Sequence, residues 1–242
     1  MSVKLNKIGI IGTQCIGKST LIEDMMLQWP QLSRPEITYR DLIKEKNLPI
    51  NKNGTKESQG LILDFLVEEA KKNYGKKKMI FDRTPLDNLA YSFWLFEKGL
   101  SDIDQDFLDK SIIKSRNAMS EYSILFYLPL IEQNNVPLIQ KEHRDIDPLY
   151  RAEIDVLFDT FYRAWESRNT ELFNNIDTPP IIPIFGNPLQ RIQMIQLYIN
   201  DKCEFYGETD SLITEDVIQK AILAKGLGLD EKPAPKNLPK KR

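Results

Sequence analysis

In KIGIIGTQCIGKST, Lys7 to Thr20, a short apolar run meets a glycine-bounded loop that ends in a lysine and two hydroxyls. The run Lys7–Gly12 is rich in Ile, as a buried strand is. From Gly12 onward the residues Gly12, Thr13, Gln14, Cys15, Ile16, Gly17, Lys18, Ser19 and Thr20 fit the spacing GxxxxGK[ST]. They lie directly after a predicted strand and open a predicted helix, which is the context this phosphate loop needs. The glycines let backbone N–H groups curl around phosphate oxygens, and the helix N-terminus adds its dipole. Lys18 is the expected partner of β- and γ-phosphates, and the Ser19 hydroxyl the expected ligand of Mg2+. The expected cofactors are therefore ATP and Mg2+. Cys15, inside the loop, reads as a small filler.

Outward from this stretch, further apolar segments resemble buried strands at Lys78–Asp82, Tyr122–Leu128 and Ile181–Phe185, and a weaker one at Arg34–Thr38. Helix-start signals alternate with them. Thr84-Pro85-Leu86-Asp87 places a hydroxyl at the N-cap, proline at the first helical position and a carboxylate at the third. Asp147-Pro148 and Asn187-Pro188 repeat the order of cap and proline, which predicts helices over Pro148–Arg168 and Pro188–Asn200. Ile154, Leu157, Phe158, Phe161 and Trp165 recur at helical spacing and form a core-facing stripe. Asn47–Thr55 reads as a loop. The alternation predicts an α/β fold, a five-stranded parallel sheet flanked by helices. The expected organisation is one domain over residues 1–200, a partly helical C-terminal extension over 201–231 with a helix at Thr214–Ala224, and a basic flexible tail over 232–242.

Composition removes several function classes. No apolar run approaches the roughly 20 residues that cross a bilayer, and the longest, Ile124–Ile131, is broken by Pro129. The apolar stretch near the N-terminus is shorter than the roughly 7–15 residues of a secretory signal. The expected location is therefore intracellular and cytoplasmic, with no membrane partner. One histidine, His143, and two cysteines, Cys15 and Cys203, argue against a structural zinc centre and a disulfide scaffold. Chemistry in such a chain falls to Lys, Arg and carboxylates. A net charge of −2 gives no overall bias toward nucleic acid.

Met79-Ile80-Phe81-Asp82-Arg83-Thr84 ends a predicted strand on an acid and an arginine. At the C-terminal edge of a parallel sheet Asp82 can hold Mg2+ or polarise an attacking hydroxyl. The Arg83 fork suits a phosphate or an acceptor oxygen. Together, GTQCIGKST and DRTPLDNLAY resemble the thymidylate-kinase and deoxynucleoside-kinase group of P-loop kinases. Thymidylate kinases typically carry a DR-x-x-x-S-x-x-AY-like run, which Asp82, Arg83, Ala90 and Tyr91 match, with Asp87 near the serine. Pro35-Glu36-Ile37-Thr38-Tyr39-Arg40 is similar to the Pro-Glu-x-x-x-Arg segment of the related kinases that include nicotinamide riboside kinases. The resemblance spans residues 5–200. It implies a P-loop kinase fold, a general base at Glu36 or Asp82, and an acceptor clamp at Arg40. Thymidylate kinases often place an acid at the third residue of the loop, near the substrate sugar, and Gln14 stands there instead.

The same resemblance places an Arg-bearing lid at Gln140–Arg151, with Arg144 and Arg151 closing over the γ-phosphate. His143 lies among charges and is expected to be exposed and non-essential. The loop after the last strand, Phe185-Gly186-Asn187-Pro188, corresponds to the adenine contact, which assigns Gly186 and, more weakly, Arg191 to the nucleotide. The expected reaction is Mg·ATP-dependent phosphoryl transfer to a nucleoside or nucleotide. The alternatives are a hydroxymethylpyrimidine base (5-hydroxymethyluracil) within DNA, as in phage thymidine hypermodification, nicotinamide riboside, or a non-catalytic nucleotide switch. Lys236, Lys240, Lys241 and Arg242 form the basic end that could touch DNA. Members of this group are often homodimers.

Overall fold

The computed structural model describes residues 5–134, 147–167, 170, 172–173 and 178–206. Arg144 and His143 of the expected lid, the expected helix Thr214–Ala224 and the basic end from Lys232 lie outside the described residues. Strands β1 (Lys7–Ile11), β2 (Leu32–Ser33), β3 (Lys78–Asp82), β4 (Ile124–Tyr127) and β5 (Ile181–Pro183) form one sheet in the order β2-β3-β1-β4-β5. Every pairing is parallel. Helices α1 (Lys18–Gln28), α2 (Tyr39–Lys46), α3 (Lys56–Lys71), α4 (Pro85–Lys98), α5 (Gln105–Met119), α6 (Pro148–Ser167) and α7 (Pro188–Ile195) flank it. This is the α/β architecture expected from the alternation of strand and helix signals.

Both faces of the sheet are covered, so each strand is apolar on both sides. Ile8 and Ile10 of β1, with Ile124 and Phe126 of β4, pack into one core with Leu21, Ile22 and Met25 of α1 and Ile192 and Ile195 of α7. Ile11, Leu125 and Tyr127 face the other core, built with α3, α4, α5 and α6. Ile154, Phe158 and Phe161 of the predicted stripe are buried there, with Leu157 and Trp165 packed against them. A third, smaller cluster joins Tyr39, Leu42 and Ile43 of α2 to Ile62 and Leu66 of α3.

The predicted helix starts act as read. Thr84 caps α4 and Asp87 closes the capping box, its Oδ2 accepting from the Thr84 N–H at 2.9 Å. Asn187 and Gln190 do the same for α7. A Cβ on Gly9 would lie 2.5 Å from Leu125 and 2.6 Å from Thr84, so the missing side chain lets α4 begin directly against β1. The weak strand expected at Arg34–Thr38 is displaced to Leu32–Ser33. Pro35 has no N–H for a ladder, and Thr38 is spent on the capping box of α2 with Asp41. The α7 helix ends at Ile195, short of the expected Asn200. No helix among the described residues is long and apolar enough to cross a membrane.

Candidate active site

The loops leaving the carboxyl ends of β1 and β3 meet over the sheet, where parallel α/β folds place their ligands. Gly12 has φ +138°, and a Cβ there would come 2.7 Å from the Leu128 carbonyl oxygen, so no other residue fits without moving β4. Cys15 (φ +57°) and Gly17 (φ +95°) turn the backbone into the left-handed region. Gly17 caps α1 without any side-chain acceptor, which leaves the first N–H groups of α1 open to an anion. Lys18 is 7% exposed. Its Nζ donates to the Gly12 carbonyl and, at 2.8 Å, to the Thr13 carbonyl, and lies 4.0 Å from Asp87 Oδ1. Burial and the neighbouring Arg83 charge push Lys18 down to about 8, against the pull of Asp87 and Asp82.

Opposite the loop, the β1–β3 register pairs Ile10 with Asp82 and brings the carboxylate to α1. Ser19 Oγ donates to Asp82 Oδ2 at 3.0 Å, and Arg40 Nη1 donates to the same oxygen at 2.8 Å. Asp82 Oδ1 is buried without a hydrogen-bond partner. Burial works against its charge, but Arg40, Lys18, Arg83 and the Ser19 hydroxyl hold the carboxyl below the usual carboxylate range. A hydroxyl beside an anionic carboxylate with one oxygen uncommitted is a hard oxygen donor set that fits Mg2+.

Arg83 follows with φ +91°, a strained backbone for a non-glycine residue. Its guanidinium lies over the rings of Tyr39 (4.9 Å) and Tyr91 (4.6 Å), and Nη2 donates to Tyr91 Oη at 3.2 Å. Tyr91 in turn donates to Gln14 Oε1 at 2.8 Å. Desolvation acts to lower the Arg83 pKa, but Tyr39, Tyr91, Asp87 and Asp82 outweigh it and keep the group firmly cationic.

From the loop a cleft of about 680 Å3 runs between α1 and the α2–α3 wall. Its near end is polar, with Lys18, Ser19, Arg40, Asp82 and Arg83. Beyond the Tyr39 ring, which the two arginines face, the lining is apolar, with Ile43, Leu48, Ile50, Ile62 and Leu66. Between them stand two buried amides, Gln59 and Asn88. Asn88 Nδ2 donates to Gln59 Oε1 at 2.8 Å, and Asn88 Oδ1 is buried without a partner.

The sequence profile of the family described as AAA domain matches residues 7–177. The chain belongs to this family. None of the curated proteins matches it in sequence. Among solved structures it is similar to deoxyadenosine kinase from M. mycoides with bound dATP, at 20% identity and a TM-score of 0.55, covering 79% of this chain and 97% of that one. It is also similar to thymidylate kinase from Candida albicans, at 15% identity and a TM-score of 0.53, covering 81% and 90%. The NadR protein in complex with NR gives 10% identity and a TM-score of 0.51, and the match covers 74% of this chain but only 45% of NadR. At these identities the likeness is one of fold, the P-loop fold of nucleoside and nucleotide kinases, as the two sequence motifs implied.

Within this AAA-domain fold, Lys18, Ser19, Asp82, Arg83 and Arg40 come together on the cleft, as do Gln14–Thr20 of the loop. Glu36 does not join them. It is exposed on the bend before α2 and outside the cleft lining. Arg151 is in α6, 4% exposed, behind the loop, where Nη2 donates to the Cys15 carbonyl at 3.1 Å and its own carbonyl accepts from Thr13 Oγ1 at 2.9 Å. Arg191 is buried too. It donates to the carbonyls of Gly186 (2.9 Å) and Ile16 (3.2 Å) and to Asn134 Oδ1 (3.1 Å). Gly186, at φ +98°, is tied by its N–H to the same Asn134 oxygen at 2.9 Å. Both arginines thus brace the phosphate loop from behind. Tyr39, Gln59 and Asn88 were absent from the sequence-based set, and no local spacing marks them. Asp87, which the sequence marks as a cap and sets against the motif's serine, also faces Lys18.

Proposed function

We propose that the protein transfers the γ-phosphoryl group of ATP to a small nucleoside-like acceptor. The observation that carries this reading is the single cleft joining the phosphate loop and Asp82 at one end to an apolar chamber with two amides at the other. A pocket of this size suits one small molecule beside a triphosphate. The chamber offers flat apolar walls to a heterocyclic base, and Gln59 and Asn88 offer hydrogen bonds to its edge. Ser19 and Asp82 are the residues that would hold Mg2+, which when bound neutralises charge on the phosphates. Lys18 leaves the loop carbonyls for phosphate oxygens. Arg83 and Arg40 face the acceptor end and orient the attacking oxygen. That oxygen forms a bond to phosphorus as the bond to the β–γ bridging oxygen breaks, and ADP leaves. An acceptor hydroxyl gives its proton to the Asp82 carboxylate, whereas a phosphate acceptor has none to lose. Little else is needed, because positioning and charge do most of the work in phosphoryl transfer.

The test is transfer from γ-labelled ATP to separate pools of nucleosides, deoxynucleoside monophosphates, nicotinamide riboside, and normal or hydroxymethylated DNA. Label is expected in a small-molecule pool. Label in DNA alone overturns the small-acceptor reading, and label in no pool favours a nucleotide switch.

A further inference from the structure

A half-buried, largely desolvated guanidinium calls for a counter-charge, and the ordinary answer is a carboxylate. Arg83 has a different answer. Among the described residues no carboxylate oxygen pairs with it, although Asp82 precedes it and Asp87 lies four residues on. Its two neighbours are tyrosine rings, and its Nε is buried without a partner. Ring faces stabilise a desolvated cation and lie against the faces of the guanidinium plane. Apart from the Nη2 bond to Tyr91, the N–H edge is left for an anionic oxygen. A carboxylate in the same place would take that edge, and pairing with Asp82 would also consume a metal-holding group.

Tyr91 belongs to α4, the helix that follows Arg83, but Tyr39 comes from another part of the chain. It is the first residue of α2, 9% exposed, and packs with Ile62 and Leu66 of α3. Its backbone is set by the Thr38–Asp41 capping box, in which Thr38 N and Oγ1 donate to Asp41 Oδ2 at 2.8 and 2.7 Å. Arg40 also lies over the Tyr39 ring, at 5.1 Å. One ring therefore serves both cations of the acceptor end.

We propose that Tyr39 is a positioning residue, whose ring, stacked on Arg83, holds the guanidinium free of carboxylates and edge-on to the acceptor. The proposal rests on the reading that Arg83 meets the acceptor's phosphoryl-receiving end. Tyr39→Phe keeps the ring and Tyr39→Leu removes it at similar bulk. The first measurement needs no acceptor. The Arg83 Nε–H resonance, assigned by its loss in Arg83→Met, is expected at the same ring-shifted position in wild type and Tyr39→Phe and displaced from it in Tyr39→Leu, where the Tyr91 ring alone remains. Titration of inorganic phosphate in the presence of saturating ADP and magnesium is then followed at that resonance. Tyr39→Leu is expected to weaken phosphate binding about 10- to 30-fold, the factor that 1.4–2 kcal/mol of ring contact gives, and Tyr39→Phe less than about 2-fold.

In the transfer assay the same factor is expected in acceptor KM, with ATP KM unchanged and little further loss when Tyr39→Leu is added to Arg83→Met. A Tyr39→Leu resonance and phosphate affinity like wild type overturn the proposal. So does an undiminished Tyr39→Leu effect in the Arg83→Met background, or a Tyr39→Phe loss equal to that of Leu. Absence of transfer by wild-type protein overturns the kinase reading, and the phosphate titration still decides the role of Tyr39.

Discussion

Lys18 is the residue with most to gain from a ligand. Folded, it gives its protons to two loop carbonyls and holds its charge against burial. Phosphate oxygens replace the carbonyls with full negative charge. The sign follows from proton linkage. Ligand-free Lys18 titrates at about 8, below an exposed lysine, so its contribution to stability rises as pH climbs from there toward the unfolded value of about 10.4. If ATP binds as proposed, its phosphates restore the proton, and binding at pH 8 is expected to take up about 0.5 proton per site and much less at pH 7. Calorimetry in two buffers of different ionisation enthalpy measures this, and zero uptake at pH 8 contradicts it. Lys18→Ala and Asp82→Asn are each expected to reduce transfer more than about 100-fold. A fully active Asp82→Asn moves the metal-holding role elsewhere. Lys18, Ser19, Asp82 and Arg83 were legible because the motifs that contain them are local. Tyr39, Gln59 and Asn88 were not, because they reach the cleft only when α2, α3 and α4 pack, and an ordinary Tyr or Asn carries no trace of that in its neighbours.

Elements were legible where a cap or a proline fixed them. Thr84-Pro85, Asp147-Pro148 and Asn187-Pro188 all start helices. Strand β2 was misplaced because Ile37 and Thr38 have strand propensity, while the ladder with β3 is set by Leu32 and Ser33, which carry little. The role of α7 was also hidden. Arg191 reaches across from it to three acceptors on three segments, the β5 turn, the phosphate loop and the turn Glu132–Asn134 after β4. Arg191→Met keeps most of the volume and strands those acceptors. Charge-assisted hydrogen bonds lost at a buried site cost about 1.5–3 kcal/mol each before compensation by water. A net loss of about 3 kcal/mol lowers Tm by about 6–12 °C in a domain of this size. The variant is expected to bind ATP more weakly as well, because the brace holds the Ile16 carbonyl in the phosphate loop. A thermal melt and a nucleotide titration check both. Weak ATP binding at unchanged Tm, or the reverse, separates α7 from the loop.

At the scale of the whole molecule, the sheet is the wall between two cores, and the site sits on its upper edge, in contact with both. Ile16 and Leu21 carry the phosphate loop into one core, and Leu86 and Leu89 carry the Asp82–Arg83 turn into the other. A ligand that bridges loop and turn therefore ties the two halves together, and unfolding of either releases it. Two tryptophans report the halves separately. Trp29 is buried in the α1–α7 core with Nε1 donating to the Asn200 carbonyl at 2.8 Å, and Trp94 in the other core donates to Glu153 at 2.8 Å. Trp29→Phe leaves the fluorescence of the α4–α6 side, and Trp94→Phe with Trp165→Phe leaves that of Trp29. Because β1 supplies side chains to both cores, the two reporters are expected to melt at one midpoint within each protein's own calorimetric transition. ATP and magnesium at about 100 times Kd add about 2.7 kcal/mol, which moves both reporters upward together by about 5–10 °C. If the ligand raised only the Trp29 transition, the nucleotide would be held by the phosphate loop alone and Asp82 would lie outside its reach.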